Sequence, residues 1–241
     1  MSLSSKSTGF VVTLADSVDF ARLSGDYNPL HVDPIYARRT PFGSTVVHGM
    51  HLLLKSLDSV SALLAGAAPL ECSVTFSNPV STGAGISLET QFDPATRKLR
   101  LTGTTGRRGA FVATLILGEP TTGVPVALDT SDHPAATPRA SAFPPELSEG
   151  RVALALHPGL LRRLLPQLAG LHEQNWIADL LASTRVVGME CPGLNSIYSG
   201  CKLRRVDSAP STARAFEYRI AKVDERFKLI RLQVQASYFS G

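Results

Sequence analysis

From Met50 to Leu117 the chain sets one helical apolar period before four short β-like runs, and that order restricts the fold more than any other feature. Met50, Leu53, Leu54, Leu57, Val60 and Leu64 recur at helical spacing, which predicts a long, largely buried helix from His48 to about Ala65. Gly66 and Pro69 stop it. Runs at Cys72 to Phe76, Ile86 to Phe92, Lys98 to Thr105 and Ala110 to Leu117 follow. They are separated by the turn signals Asn78-Pro79, Asp93-Pro94 and Thr105-Gly106. A helix followed by an antiparallel meander makes an α+β unit.

The second half restates this order. Val152 to Leu156 reads as a strand, Leu160 to Leu165 as a helical turn or two, and Leu168 to about Ser183 as a second helix. Leu171, Trp176, Ile177 and Leu180 take its core positions. Pro192-Gly193 breaks the chain before further strands at Ser196 to Val206, Arg214 to Val223 and Lys228 to Phe239, the last two paired around Asp224-Glu225. Two diverged copies of one unit account for the pattern. Between them, residues 118–150 hold six of the 16 prolines among Thr, Ser and Ala, the composition of an extended linker. His133 within it is expected to be solvated. The chain thus divides into a first domain over 1–118, a linker over 119–150 and a second domain over 151–241.

The entry to the first long helix, Leu23 to Gly49, concentrates the chemically capable groups. Thr13 with Asp16 three residues on can cap a short helix, with Ala15, Val18, Ala21 and Leu23 as a loose apolar face, and Gly25 fits its C-terminal stop. The residue before a proline avoids the α region, so Asn28 should be extended and Asp26 to His31 an ordered loop. Asp33-Pro34 then reads as an N-cap with proline at the first helical position, opening a turn or two through Ala37.

Asp26 and His31 lie five residues apart on this loop, where a turn brings both side chains toward one water. A carboxylate and an imidazole around one water suit general acid–base work, and burial beside apolar walls would tune both groups. An isolated Asp-x-x-x-x-His spacing is more often structural, with the acid capping a turn and the histidine hydrogen-bonded. His48-Gly49 changes the balance. Gly49 falls in the first helical turn, where backbone N–H groups lack partners and the dipole is positive, so its N–H can bind a carbonyl oxygen that becomes enolate-like. An acid–base pair beside such a helix end is what addition of water to an α,β-unsaturated carbonyl requires. Asn28 can orient the pair or line the loop, and His51 reads as a polar-face residue.

Composition narrows the partners. At 44% hydrophobic and 18% charged the chain has an ordinary globular balance. No apolar run is long enough to span a bilayer and MSLSSKSTGF lacks the core of a secretory signal. Cys72, Cys191 and Cys201 fit no metal-ligand spacing and read as reduced thiols, which points to the cytoplasm. A net charge of +4 mildly favours anionic partners. Arg107-Arg108 and Arg162-Arg163 lack interleaved aromatics, which argues against nucleic acid.

SGDYNPLHVDPIYA followed by FGSTVVHGM resembles the signature of MaoC-like dehydratases and (R)-specific enoyl-CoA hydratases, matching at Gly25, Asp26, Asn28, Pro29, His31, Asp33, Ala37, Phe42, His48 and Gly49. The resemblance is specific over roughly residues 10–60. Beyond that it is architectural, except that CPGLNSIYSG also resembles the segment after the central helix in these enzymes. It implies a hot-dog fold, a long helix wrapped by an antiparallel sheet and working in pairs, so that the two copies make a double hot dog. It further implies Asp26 and His31 as the catalytic dyad holding the water, the Gly49 N–H on the thioester oxygen, and Asn28 and His48 in support. Either member of the dyad can deliver the proton to C2. The implied enzyme is a hydro-lyase of fatty acid metabolism that reversibly adds water to a trans-2-enoyl thioester. It needs no metal and no cofactor beyond the CoA or phosphopantetheine of an acyl-CoA or acyl-carrier-protein substrate, and a homodimer is compatible with it. The second copy lacks the dyad and the His-Gly, so one active site is expected. The competing reading is a non-catalytic acyl-thioester binding or dimerisation module of a larger enzyme, and an intact dyad argues against it.

Overall fold

The computed structural model describes residues 4–119, 128–140, 142–145, 149–206 and 214–241. The first half runs β1 (Ser4–Val11), α1 (Leu14–Ser24), α2 (Pro29–Val32), α3 (Pro34–Arg38), α4 (Gly49–Ser59), β2 (Ala68–Phe76), β3 (Gly85–Asp93), β4 (Lys98–Thr105) and β5 (Arg108–Gly118). The second runs β6 (Glu149–Ala153), α5 (Pro158–Leu164), α6 (Asn175–Arg185), β7 (Gly200–Arg205), β8 (Ala215–Asp224), β9 (Leu229–Gln235) and β10 (Phe239–Ser240).

The strands form one antiparallel sheet in the order β1-β3-β4-β5-β2-β7-β10-β9-β8-β6. Its two halves mirror each other about the central β2–β7 pair, where Glu71 faces Arg204 and Thr75 faces Gly200. Each half carries its own buried helix, α4 or α6, so the expected double hot dog is the architecture found. The core is continuous between halves: Met50, Leu53, Leu54 and Leu57 of α4 are buried together with Trp176, Ile177 and Leu180 of α6. Burial of each such leucine stabilises the fold by roughly 1.5–3 kcal/mol.

Local chemistry explains most element boundaries. Thr13 and Asp16 form both arms of a capping box, and Gly25 ends α1 at φ 77° with its N–H on the Ala21 carbonyl at 2.7 Å. The buried face of α1 differs from the expected one, because Phe20 packs into the core while Val18 is exposed. Asp33 caps α3 through the N–H groups of Ile35 and Tyr36. Asn28 is extended as expected, but Pro29 to Val32 close a single helical turn where a loop was expected, since the Asn28 side chain accepts from Leu30 N–H.

Both long helices depart from their expected spans. The first is α-helical only to Ser59, and Ser61–Leu63 continue it as a 3₁₀ turn that still buries Leu64. The second starts at Asn175, because the Gln174 amide donates to the Ala169 and Leu171 carbonyls and holds the preceding residues in a loop. At its far end it runs through Arg185 into a π turn, Val186–Glu190, and only Pro192 ends it. The strand β1 carries no alternation strong enough to announce it and is held at the sheet edge by pairing with β3.

The expected linker lies partly outside the described residues, at 120–127, 141 and 146–148. Its described part is a strap across the first half, with Arg22 and Asp132 paired at 2.7 Å and the His133 N–H on the Arg22 carbonyl. His133 is half-buried over Gly25 beside the Arg185 guanidinium, 3.3 Å away. The expectation of a solvated histidine fails because the strap packs on α1 and α6. Among the described residues no helix is long and apolar enough to cross a membrane.

Candidate active site

The helix stop at Gly25 turns the chain inward, so that Asp26, 2% exposed, and Asn28, 1% exposed, sit between the end of α1 and the start of α4. The Asp26 carboxylate accepts two hydrogen bonds. The Asn28 N–H donates to Oδ1 at 3.2 Å and the Thr184 hydroxyl to Oδ2 at 2.8 Å. Burial raises its pKa above the ordinary carboxylate value, while His31 and these two donors pull the other way.

The turn of α2 places His31 opposite. Its Nδ1–H donates to the Val46 carbonyl at 2.8 Å. That bond fixes the tautomer, so the Nε2 lone pair of the neutral ring is free. One oxygen of Asp26 and one nitrogen each of His31 and His48 lie within 4.8 Å of one another. Two acceptors bridged by one water at ordinary hydrogen-bond lengths are about 4.5–5 Å apart, so a separation within 4.8 Å admits a shared water.

His48, the N-cap of α4, is wholly buried. Its ring stacks on His31 with centroids 3.9 Å apart, and its Nε2–H donates to the Asp26 carbonyl at 3.0 Å. Burial, with His31 adding to it, holds its pKa well below the usual histidine value. A neutral His48 therefore props both members of the pair. The His31 and His48 rings, stacked at 28°, send their in-plane lone pairs along nearly parallel planes, an arrangement that suits a single metal ion poorly.

Gly49 opens α4, and its amide belongs to the first-turn N–H groups that have no intrahelical acceptor. A Cβ there would sit 2.9 Å from the Phe76 ring. The glycine thus lets an aromatic wall close against the helix end. His51 is not on a polar face: it is 1% exposed and stacked on Phe20 at 4.4 Å.

These groups line a cavity of about 190 Å³ whose other walls are mostly apolar, with Leu30, Val47, Leu52, Phe76 and Val80 among them. Leu53, Leu54 and Leu57 of α4 are buried in the core and do not line it. The second half supplies what the sequence reading missed. Thr184, Val187 and Gly188 from the end of α6 and the π turn, and Ser196, Ile197 and Tyr198 from CPGLNSIYSG, complete the lining. A threonine and a glycine near the end of the second helix were the available signal. The corresponding place beside the end of α4 is filled: Asp58 accepts the N–H groups of Gln167 and Leu168, and Leu165 and Leu168 are fully buried there.

Residues 5–107 match the family described as "MaoC like domain". Over 83 residues the chain is 41% identical to the (R)-specific enoyl-CoA hydratase of Aeromonas caviae, covering 32% of this chain and 59% of that protein. Over 99 residues it is 30% identical to the 3-hydroxybutyryl-CoA dehydratase of Methylorubrum extorquens, covering 37% of this chain and 60% of that one. The chain thus spans about 60% of the length of these curated relatives. A solved structure named MaoC-like dehydratase shares the fold over 98% of this chain and 95% of its own, with a TM-score of 0.65 and 13% identity.

Proposed function

Starting from a chain whose residues 5–107 are a MaoC-like domain, we propose that it is an (R)-specific enoyl thioester hydratase, equally a 3-hydroxyacyl thioester dehydratase. The observation that carries the reading is the Asp26–His31 pair, within 4.8 Å of each other at the wall of an apolar cavity that also includes Gly49.

In the hydration direction the water oxygen bonds C3 of a trans-2-enoyl thioester. The π electrons of the C2–C3 bond move toward C2 and the thioester oxygen, where the Gly49 N–H meets the developing negative charge. The proton released by the water passes to the Asp26–His31 pair, and the pair returns a proton to C2 from the same face. Donation from Thr184 and Asn28 keeps Asp26 an acceptor, and the Val46 carbonyl keeps His31 presenting Nε2. The product is a (3R)-3-hydroxyacyl thioester. Residues 1–118 act as the catalytic unit and residues 151–241 as the silent copy that closes its site. Substrate is an acyl-CoA or a carrier-linked acyl chain, and the reaction asks for no redox group.

Addition of the protein to crotonyl-CoA should lower the absorbance of the conjugated thioester, and Asp26→Asn and His31→Ala should each abolish the change. Full activity in both variants removes the dyad assignment. No turnover of any CoA-linked or carrier-linked enoyl chain supports the binding-module reading instead.

A further inference from the structure

Two aromatic rings, Phe76 and Tyr198, stand in the cavity wall. Its rim carries the exposed residues Ser77, Asn78, Pro79 and Ile197, whereas the Tyr198 hydroxyl points inward to the buried Ser183 and the half-buried Cys201. The Tyr198 ring meets Phe76 edge-on with centroids 6.0 Å apart, and Phe76 in turn meets Phe111 at 6.4 Å. Three rings thus run in series from the cavity into the core.

This barrier has no room to retreat. Phe111 is 1% exposed and its ring lies over Gly103, its partner across β4 and β5, where a Cβ would overlap it. Phe76 is pressed on its other side against the backbone of Gly49. Well-packed cores do not yield a methylene's worth of space without cost. Of the roughly 190 Å³ available, one water takes about 10–15 Å³, and about 150 Å³ is the size of a dry cavity that holds benzene, six carbon atoms.

We propose that Phe76 and Tyr198 set the acyl length, and that the site takes short trans-2-enoyl thioesters of about four to six carbons. The inference rests on the hydratase reading and adds to it the substrate class and the two residues that select it.

The test is a panel of trans-2-enoyl-CoA substrates with about 4, 6, 8, 10 and 12 carbons, from less than one to about two benzene equivalents, assayed on the wild type and on Tyr198→Ala and Phe76→Leu. The wild type should show its highest kcat/KM at the two shortest chains and at least a tenfold loss by the ten-carbon chain. Each variant should raise the ratio of ten-carbon to four-carbon kcat/KM about tenfold, even where its four-carbon activity falls. The milder Phe76→Leu, checked by thermal denaturation, keeps the test decisive if Tyr198→Ala does not fold. Equal turnover of all lengths by the wild type overturns the length limit alone, and unchanged ratios in a folded variant overturn the assignment to the rings. Absence of turnover at every length overturns the hydratase reading and this inference with it.

Discussion

The Thr184 hydroxyl donates a 2.8 Å hydrogen bond to Oδ2 of Asp26, joining the end of α6 in the second half to the loop of the first. Hydrogen bonds to a charged group are worth about 1.5–3 kcal/mol, and this one stabilises the ionised carboxylate in a site where burial opposes it. Thr184→Val should therefore push the Asp26 pKa further up and move the acid limb of the kcat/KM profile to higher pH. At neutral pH the loss should be about tenfold or more, and Thr184→Ser should restore the wild-type profile. A pH–rate series on the three proteins decides it, and an unmoved acid limb in Thr184→Val would show that the bond does not tune Asp26.

Gly188 tests how tightly Asp26 is held. It lies in the π turn, and a Cβ added to it would fall 2.6 Å from Cγ of Asp26. Its backbone is not in the left-handed region, so the backbone accepts alanine and the nearest conflict is with the carboxylate. Gly188→Ala should cost about 1–3 kcal/mol of stability yet lose about a hundredfold in kcat/KM, more than that cost explains in the folded protein, because a displacement of about 1 Å in a catalytic group has that consequence. Retained activity in the folded variant would show that Asp26 can shift freely and is not held for catalysis.

Much of the first half was legible because its signals are local. Thr13, Gly25, Asn28-Pro29 and Asp33-Pro34 each act through backbone groups within four residues, so spacing alone places the loop that carries Asp26 and His31. The second half's share of the site was not legible in this way. Thr184 and Gly188 meet Asp26 across more than 150 residues, and only the mirrored strand order about β2 and β7 brings α6 there. The start of α6 misled for a related reason: a side-chain amide from Gln174 holds a loop where the apolar period alone continues a helix. His51 and His133 were read as solvated because neither packing against Phe20 nor the strap over Gly25 leaves a mark in their own neighbours.

Gly49 carries two duties that a double variant can separate. Alanine keeps the amide N–H that faces the thioester oxygen, but its Cβ would press on the Phe76 ring from 2.9 Å. Overpacking of this kind costs about 1–3 kcal/mol, so Gly49→Ala should lower kcat/KM about tenfold and reduce stability. Adding Phe76→Leu should recover most of both, since the smaller side chain clears the overlap. Chemical denaturation and four-carbon kinetics on the two single variants and the double give the coupling between them. Strict additivity would mean that the ring is not what excludes a side chain at residue 49.

His51 makes the fold sensitive to acid independently of catalysis. It is buried against Phe20 with Nδ1 unpartnered, and burial lowers its pKa to about 3. The unfolded chain takes up this proton near the ordinary histidine value of about 6.5, while the folded chain takes it up only near 3. The neutral ring's contribution is thus fully present above about pH 6.5 and is lost progressively as the pH falls toward about 3. Each such group adds at most roughly 1.4 kcal/mol per pH unit to the slope in that window. His51→Phe replaces the ring by one of similar shape without a titrating nitrogen. It should leave the protein at least as stable at pH 7 and flatten the decline between pH 6 and pH 4 by about that amount per unit. Buried His48 supplies a residual slope of the same sign, because its pKa is also held well below the usual value. Urea denaturation midpoints measured across that range give both slopes, and identical slopes in the two proteins would mean that His51 already gains its proton in the folded state.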